Sequence, residues 1–485
     1  MNLDKNVIEQ IVSEVVKTVV TNRDDVSGIK NKNINIQSSP AIDSTGNGIF
    51  NDLNSAIYAS REAFEELSKL SLSERKKIII AIREAGKKYA EDIAKRTYEE
   101  TGMGRVEDKI KKMHIASDQT PGVSDLETKA CSGDNGLTIV ERAPYGVISA
   151  VTPSTHPVPT LINNAISMIA AGNAVFFNPH PGAKKVFLYG LQIINDAIKS
   201  AGGPANLLTC LANPTIETTQ QSFDHPEVNL ITVTGGPGVV NEALKHPKRV
   251  IAAGPGNPPV IVDETADIKK AAKYIVDGGT FDNNIFCTAE KEIFVVDSVA
   301  DKLKQELLNY HCSELNYNQI NQLSEVAIID RTKEHPVMNR KLVGRNARVL
   351  AESIGIKGLD DSYRLLIGEV EADHIFVKAE QLMPFMPIVR VKNVDEAIEL
   401  AVKYEHGFHH TAIMHSLNLK ALDKMARVSN VSIFVKNGPS YAGLGVTGEG
   451  TTTFTIAGTT GEGITTASTF TRMRRCALVD YFRIV

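Results

Sequence analysis

No two of the five cysteines (Cys131, Cys210, Cys287, Cys312 and Cys476) form a Cys-x-x-Cys pair, which argues against a zinc cluster or a disulfide framework and suits a reducing cytosol. No apolar run approaches membrane-spanning length, and Asp4 and Glu9 interrupt the stretch where a signal peptide needs unbroken apolar residues. Neither sign of charge is in excess: 53 basic and 57 acidic residues leave nothing to draw nucleic acid or an anionic membrane. Short runs such as Lys109-Ile110-Lys111-Lys112 read as solvated helix faces. His406, His409, His410 and His415 lie close together, but no carboxylate or cysteine spacing completes a metal site; they read as surface or hydrogen-bonded histidines, and no metal ligand is assigned. What remains is a soluble globular chain of 485 residues, enough for about two to three domains.

At the N-terminus Leu3, Val7, Ile8, Ile11, Val12, Val15 and Val19 fall on one side of a helical wheel, with Lys5, Glu9, Ser13 and Lys17 on the other. The pattern predicts an amphipathic helix over 1–20. Residues 21–45, rich in Asn, Asp, Ser and Lys, read as a flexible linker. An apolar stripe tethered in this way docks on its own globular body, a partner protein or a membrane; the absence of Trp and of a Lys/Arg cluster disfavours the membrane. Long helical stretches are expected near 52–70, capped by Asn51 or Asp52, and over 73–101.

A parallel α/β pattern follows. Tyr145–Val151, Ala174–Phe177, Leu207–Cys210 and Leu230–Thr234 read as strands, with helices over Val158–Ala171 and Ala183–Ser200 between them. This is a doubly wound domain of the kind that holds a dinucleotide pyrophosphate at a glycine-bearing turn. Gly235-Gly236-Pro237-Gly238 is such a turn, though not a strict GxGxxG. The segment Phe281–Glu292 then sets Cys287 at the mouth of an apolar strand, Ile293–Val296. A loop-to-strand junction offers the partial exposure and positive potential that a thiolate nucleophile needs; the bland alternative is a small buried hydrophobe.

Together these segments resemble the aldehyde dehydrogenase superfamily, in its CoA-acylating branch, over roughly residues 46–475. Val151–Pro157 resembles the strand-to-helix motif lining the catalytic pocket, Thr234–Gly238 the cofactor turn, Gly254–Pro259 the glycine-rich segment, Cys287 the nucleophile, and Glu380–Pro384 the stretch whose Glu holds the nicotinamide ribose. The tail, from Thr453–Gly458 through Gly461-Glu462-Gly463 to Phe470-Thr471-Arg472, is similar to that branch as well. The resemblance implies Cys287 and Thr155 as catalytic residues. It implies Thr152, Pro153, Asn178, His180, Thr234, Gly235, Gly236, Gly254 and Glu380 as cofactor-binding residues.

Departures from the hydrolytic members have a chemical logic. Where those carry a Glu that activates water, this chain reads Ile251-Ala252-Ala253-Gly254. Without a general base, worth about 10²–10⁴ in rate, the thioester survives until a better nucleophile such as the CoA thiol arrives. The amide side chain that helps bind the oxyanion is replaced by Thr155, which reads equally as an oxyanion donor or a helix N-cap. The Lys and Glu that grip the adenosine ribose give way to Asn178-Pro179-His180-Pro181. A looser adenosine site would admit NAD, with NADP as an alternative, or the ADP moiety of CoA; His180 reads equally as a phosphate contact or a turn cap.

The resemblance implies a Rossmann-type dinucleotide domain (46–124 and 144–259, with a return over 431–464), an α/β catalytic domain (260–430) and an oligomerisation β-arm (125–143 and 465–485) building a dimer or tetramer. It implies oxidation of a short aldehyde, propionaldehyde before acetaldehyde, to acyl-CoA. Through residues 1–20 it implies targeting to the protein shell of a bacterial microcompartment, in whose cytoplasmic lumen the enzyme would sit. A hydrolytic aldehyde dehydrogenase and a non-catalytic lumen scaffold are the alternatives.

Overall fold

The computed structural model describes residues 44–332, 336–459 and 461–483. The helix expected over 1–20, and all of the 21–45 linker except its last two residues, lie outside the described residues. Ser44 and Thr45 are not linker but the start of an edge strand, Ser44–Gly46, paired antiparallel with Ile49–Phe50.

Among the described residues two seven-stranded sheets organise the chain. The first is centred on Val147–Thr152, buried at every position because helices cover both faces. On one side follow Ala174–Pro179, Leu208–Leu211 and Ile49–Phe50; on the other, Val228–Thr234 and Arg249–Ala253, all parallel. The chain therefore steps outward from Val147–Thr152 and returns to its opposite side. That reversal opens a crevice at the carboxyl ends of Val147–Thr152 and Val228–Thr234, where such sheets take ligands.

The second sheet is parallel throughout, in the order Cys312–Glu314, Leu365–Glu369, Phe385–Val391, Glu292–Val296, Pro259–Val262, Thr411–His415, Ile433–Lys436. Its last strand carries this unit past the boundary expected at 430. A third, antiparallel sheet joins Thr471–Val479, Gly136–Pro144 and Lys129–Gly133; its Met473, Leu478 and Val479 are exposed, as are Tyr481 and Phe482 just past its last strand.

Local chemistry sets the helix ends. Asp52 caps Leu53–Leu67 through its carboxylate, and Ser71 forms a capping box with Glu74 at the start of Leu72–Lys88. The single helix expected over 73–101 is two: Tyr89 leaves the helical conformation, and Ala90–Thr101 runs on to a left-handed Gly102. The helix Pro157–Ala170 is buried along its whole length, and its first turn lies beside the crevice.

Candidate active site

The loop that carries Cys287 is built on three consecutive left-handed residues: Asp282, Asn283 and Asn284, with φ of +50°, +55° and +64°. Asp and Asn tolerate this conformation better than other side chains because their short polar groups bond locally. Each is buried and held. The Asp282 carboxylate pairs with Lys112 at 2.7 Å and Lys109 at 3.1 Å and accepts the Arg105 N–H at 2.7 Å. Asn283 donates to the Gly344 carbonyl and to Asn346; Asn284 donates to the carbonyls of Gly279 and Glu290. The reading of Lys109 and Lys112 as a solvated face is therefore corrected: both are buried, on the helix Val106–Gln119, and Lys112 lies over the Phe286 ring at 4.7 Å.

Cys287 emerges half-buried at the floor of a cavity of about 780 Å³. Burial pushes its thiol up to about 12, and the Glu380 carboxylate adds to that; Lys291 and Lys112 pull the other way without prevailing. The positive potential expected from the sequence is present, but desolvation outweighs it and the resting group is a protonated thiol. Across Gly256 from Cys287 stands His410. A Cβ on Gly256 would meet the Cys287 carbonyl at 2.8 Å and the His410 ring at 3.0 Å, so only glycine lets these two groups approach so closely. Burial lowers His410 to about 4, which keeps the imidazole neutral near pH 7, and its Nδ1 bonds Thr411 Oγ1 at 2.8 Å. Burial raises Glu380 to about 7, against the pull of Lys291 and a bond from the Gly256 N–H.

All eleven residues singled out from the sequence line this one cavity: Cys287, Thr155, Thr152, Pro153, Asn178, His180, Thr234, Gly235, Gly236, Gly254 and Glu380. Thr155 is not the helix cap. The N-cap of Pro157–Ala170 is His156, and Thr155 Oγ1 instead bonds His156 Nδ1 at 2.9 Å. His180 does cap a turn, accepting the Gly182 N–H at 3.0 Å while lining the cavity. Ala253 lines the cavity with Gly254 and Pro255, whereas Ala252 packs into an apolar cluster on the other face of its strand.

Sequence reasoning missed His410, Arg340, Phe454 and the helix start Pro214–Ile216, which also line the cavity. Only a pairing of distant segments reveals them. His410 falls with three histidines close in sequence, whereas in the fold it stands across Gly256 from the Cys287 carbonyl.

The upper wall fits a dinucleotide or the ADP moiety of CoA. Thr152 Oγ1 and Asn178 Oδ1 are buried without a protein partner, and a Cβ on Gly236, Gly238 or Gly254 would meet nothing within 4 Å, which leaves the backbone open to a close ligand. Among the described residues no cluster of three His, Cys, Asp or Glu side chains could hold a metal ion, and no helix is long and apolar enough to cross a membrane.

The sequence matches the aldehyde dehydrogenase family over residues 30–459. It is 49% identical to the acetylating acetaldehyde dehydrogenase EutE of Salmonella typhimurium, over 98% of this chain and 100% of that one. The fold superposes on Rhodopseudomonas palustris propionaldehyde dehydrogenase, solved with bound CoA and an acylated cysteine, with a TM-score of 0.87 at 44% identity, over 90% of this chain and 99% of that one. A propionaldehyde dehydrogenase from the fucose utilisation microcompartment of Clostridium phytofermentans gives a TM-score of 0.88 at 45% identity, over 91% and 100% of the two chains.

Proposed function

The chain belongs to the aldehyde dehydrogenase family, and we propose that within it the protein oxidises a short aldehyde to an acyl-CoA through a thioester on Cys287. The observation that carries this reading is Ala253 lining the cavity, where a carboxylate would be needed to activate water. A thioester formed on Cys287 then waits for a thiol.

Cys287 Sγ adds to the aldehyde carbonyl carbon as its proton passes to solvent water, and its own backbone N–H, with the Thr155 hydroxyl, stabilises the oxyanion. NAD, when bound, accepts the hydride that turns the adduct into a thioester. Glu380 would hold the nicotinamide ribose, and Gly235 and Gly236 would let the backbone approach the phosphates. Once CoA enters, the neutral His410 imidazole takes the CoA thiol proton; the sulfur attacks the thioester carbonyl, acyl-CoA leaves, and Cys287 recovers its proton. Propionaldehyde is the preferred substrate and acetaldehyde the second, with NAD before NADP. The exposed sheet of Lys129–Gly133, Gly136–Pro144 and Thr471–Val479 extends a neighbour's sheet in a dimer or tetramer, and residues 1–20 address the enzyme to a microcompartment shell.

Purified protein given propionaldehyde or acetaldehyde and NAD, with and without CoA, tests the central reading by NADH formation and by mass spectrometry of the product. Acyl-CoA is expected; free acid formed at the same rate without CoA would replace this reading with the hydrolytic one. A fusion of residues 1–20 to a fluorescent protein, diffuse in shell-forming cells, would remove the targeting role.

A further inference from the structure

Lys291 has no exposed surface. Burying an ammonium costs several kcal/mol unless its N–H groups are satisfied, and each of its three finds an oxygen: the Asn284 carbonyl at 2.8 Å, Asn284 Oδ1 at 2.5 Å and the Phe286 carbonyl at 3.3 Å. All three lie on the segment that leads into Cys287. Its backbone is anchored as firmly, the N–H to the Pro258 carbonyl at 3.0 Å and the carbonyl to Gln381 at 3.0 Å. The turn it grips is the one with three left-handed residues in succession, a conformation that persists only where its surroundings over-determine it.

The strand Glu292–Val296 needs none of these side-chain bonds. Its ladders to Pro259–Val262 and Phe385–Val391 are made by the backbone. Burial lowers Lys291 to about 8, so that the ammonium persists at neutral pH, and that charge is not neutralised at close range. Lys112, the other cation acting on Cys287, pairs with Asp282 at 2.7 Å, whereas among the described residues no carboxylate forms a contact ion pair with Lys291. The groups whose fields reach Lys291 are Glu380, Cys287, Glu290 and Glu292. Glu290 is bound by the Ser440 N–H and hydroxyl, each at 2.8 Å, and burial holds Glu292 far above the usual carboxylate range; at the cavity Lys291 acts on Glu380, the thiol and the His410 ring. Around the thiol stand Glu380, Lys291, Lys112 and the neutral His410.

We propose that Lys291 is a positioning residue for the acyl-transfer chemistry: through Asn284 and Phe286 it fixes the turn that aims Cys287 and its N–H into the cavity, and its charge offsets Glu380 so that the thiol can ionise. The proposal rests on Cys287 being the nucleophile. Alkylation of the resting enzyme by iodoacetamide, mapped to Cys287 by peptide mass spectrometry from about pH 6 to about pH 11, reads the thiol directly. Lys291→Gln keeps amide donors for the turn without the charge, and is expected to slow alkylation at about pH 7, where Lys291 is still charged, by roughly tenfold, one unit of thiol pKa being tenfold in thiolate. Asn284→Gly tolerates the positive φ and leaves the charge, but removes the Lys291 bond to Asn284 Oδ1 together with the side chain's own bonds to the Gly279 and Glu290 carbonyls. It is expected to lower kcat for acyl-CoA formation several-fold with KM for NAD and the alkylation profile little changed.

A folded Lys291→Gln enzyme with the wild-type alkylation profile overturns the electrostatic role; Asn284→Gly with wild-type kcat overturns the positioning role, and remains decisive where Lys291 variants do not fold. Turnover persisting in enzyme fully alkylated at Cys287 would sink the nucleophile assignment itself, so the two failures are distinguishable.

Discussion

A Cβ on Gly256 would strike the Cys287 carbonyl and the His410 ring, whereas one on Gly236, across the same cavity, would stand in open space. The floor and the upper wall are built on opposite plans. The floor is tightly packed and dense in ionisable groups: Asp282, Glu290, Lys291 and Glu292 are buried within a few residues of Cys287, and Lys112 is buried against Asp282. Its geometry is over-determined, as chemistry within a few tenths of an ångström requires. The upper wall is made of strand ends and a glycine turn, with polar atoms left unpartnered. Such a wall can take two ligands in succession that share an adenosine diphosphate shape. On the proposed mechanism, rigidity sits where bonds change, and openness where ligands exchange.

The largest expected effect strikes the floor. Cys287→Ala should lower kcat by at least about 10⁴-fold while leaving NAD binding and melting temperature nearly unchanged, because the nucleophile's loss does not touch the cofactor wall. Retained turnover would reassign the nucleophile. Next, the two glycines sharpen the contrast. Gly256→Ala should cost about 10- to 100-fold in kcat by displacing His410 from Cys287, whereas Gly236→Ala should raise KM for NAD and CoA several-fold with kcat held. Steady-state kinetics on both variants decide it, and an equal split between kcat and KM in the two would erase the distinction between floor and wall.

Ala253→Glu places a carboxylate at the cavity and should raise the ratio of free acid to acyl-CoA about tenfold, well within what a general base supplies. Ala252→Glu, which points into the apolar cluster instead, should lower melting temperature without changing that ratio. Product analysis and thermal melts separate the two, and an unchanged ratio in folded Ala253→Glu would mean that the missing base is not what protects the thioester. The smallest effect concerns Glu292, whose carboxyl burial raises well above its ordinary 4.5. A raised folded-state value means that the stability it contributes is complete below about pH 4.5 and is lost as pH rises toward the folded-state value. Glu292→Gln should therefore melt close to wild type at about pH 4.5 and above it at about pH 8, by a margin that grows with pH. A margin independent of pH would show that Glu292 is charged in the folded protein.

Much of the wall was legible because it is local. Thr152, Asn178 and Thr234 lie at the carboxyl ends of strands, and Pro153 and Gly235 just past them; the apolar runs mark those ends, and a parallel sheet brings them to one edge. The floor was legible only in part. Cys287 stood out by its place between a polar turn and an apolar strand, but Lys109 and Lys112 look like any solvated helix face until Asp282 is brought beneath them. His410 gave no signal because its neighbours in space, Gly256 and Cys287, are remote in sequence. Thr155 was ambiguous for a different reason: cap or oxyanion donor depends on whether the helix starts at Thr155 or one residue later, and the structure places the cap at His156.

The sequence by itself determined the parallel α/β architecture, the family, the cysteine in its turn and the missing carboxylate before Gly254, since periodicity, turn chemistry and residue identity are properties of short stretches of chain. Only the tertiary structure decided that burial pushes the Cys287 thiol up and the His410 imidazole down, that Ala253 and not Ala252 meets the cavity, and that Lys291 bonds the turn leading into Cys287. Ionisation follows desolvation and the field of neighbouring charges, and both are set by which distant segments pack together.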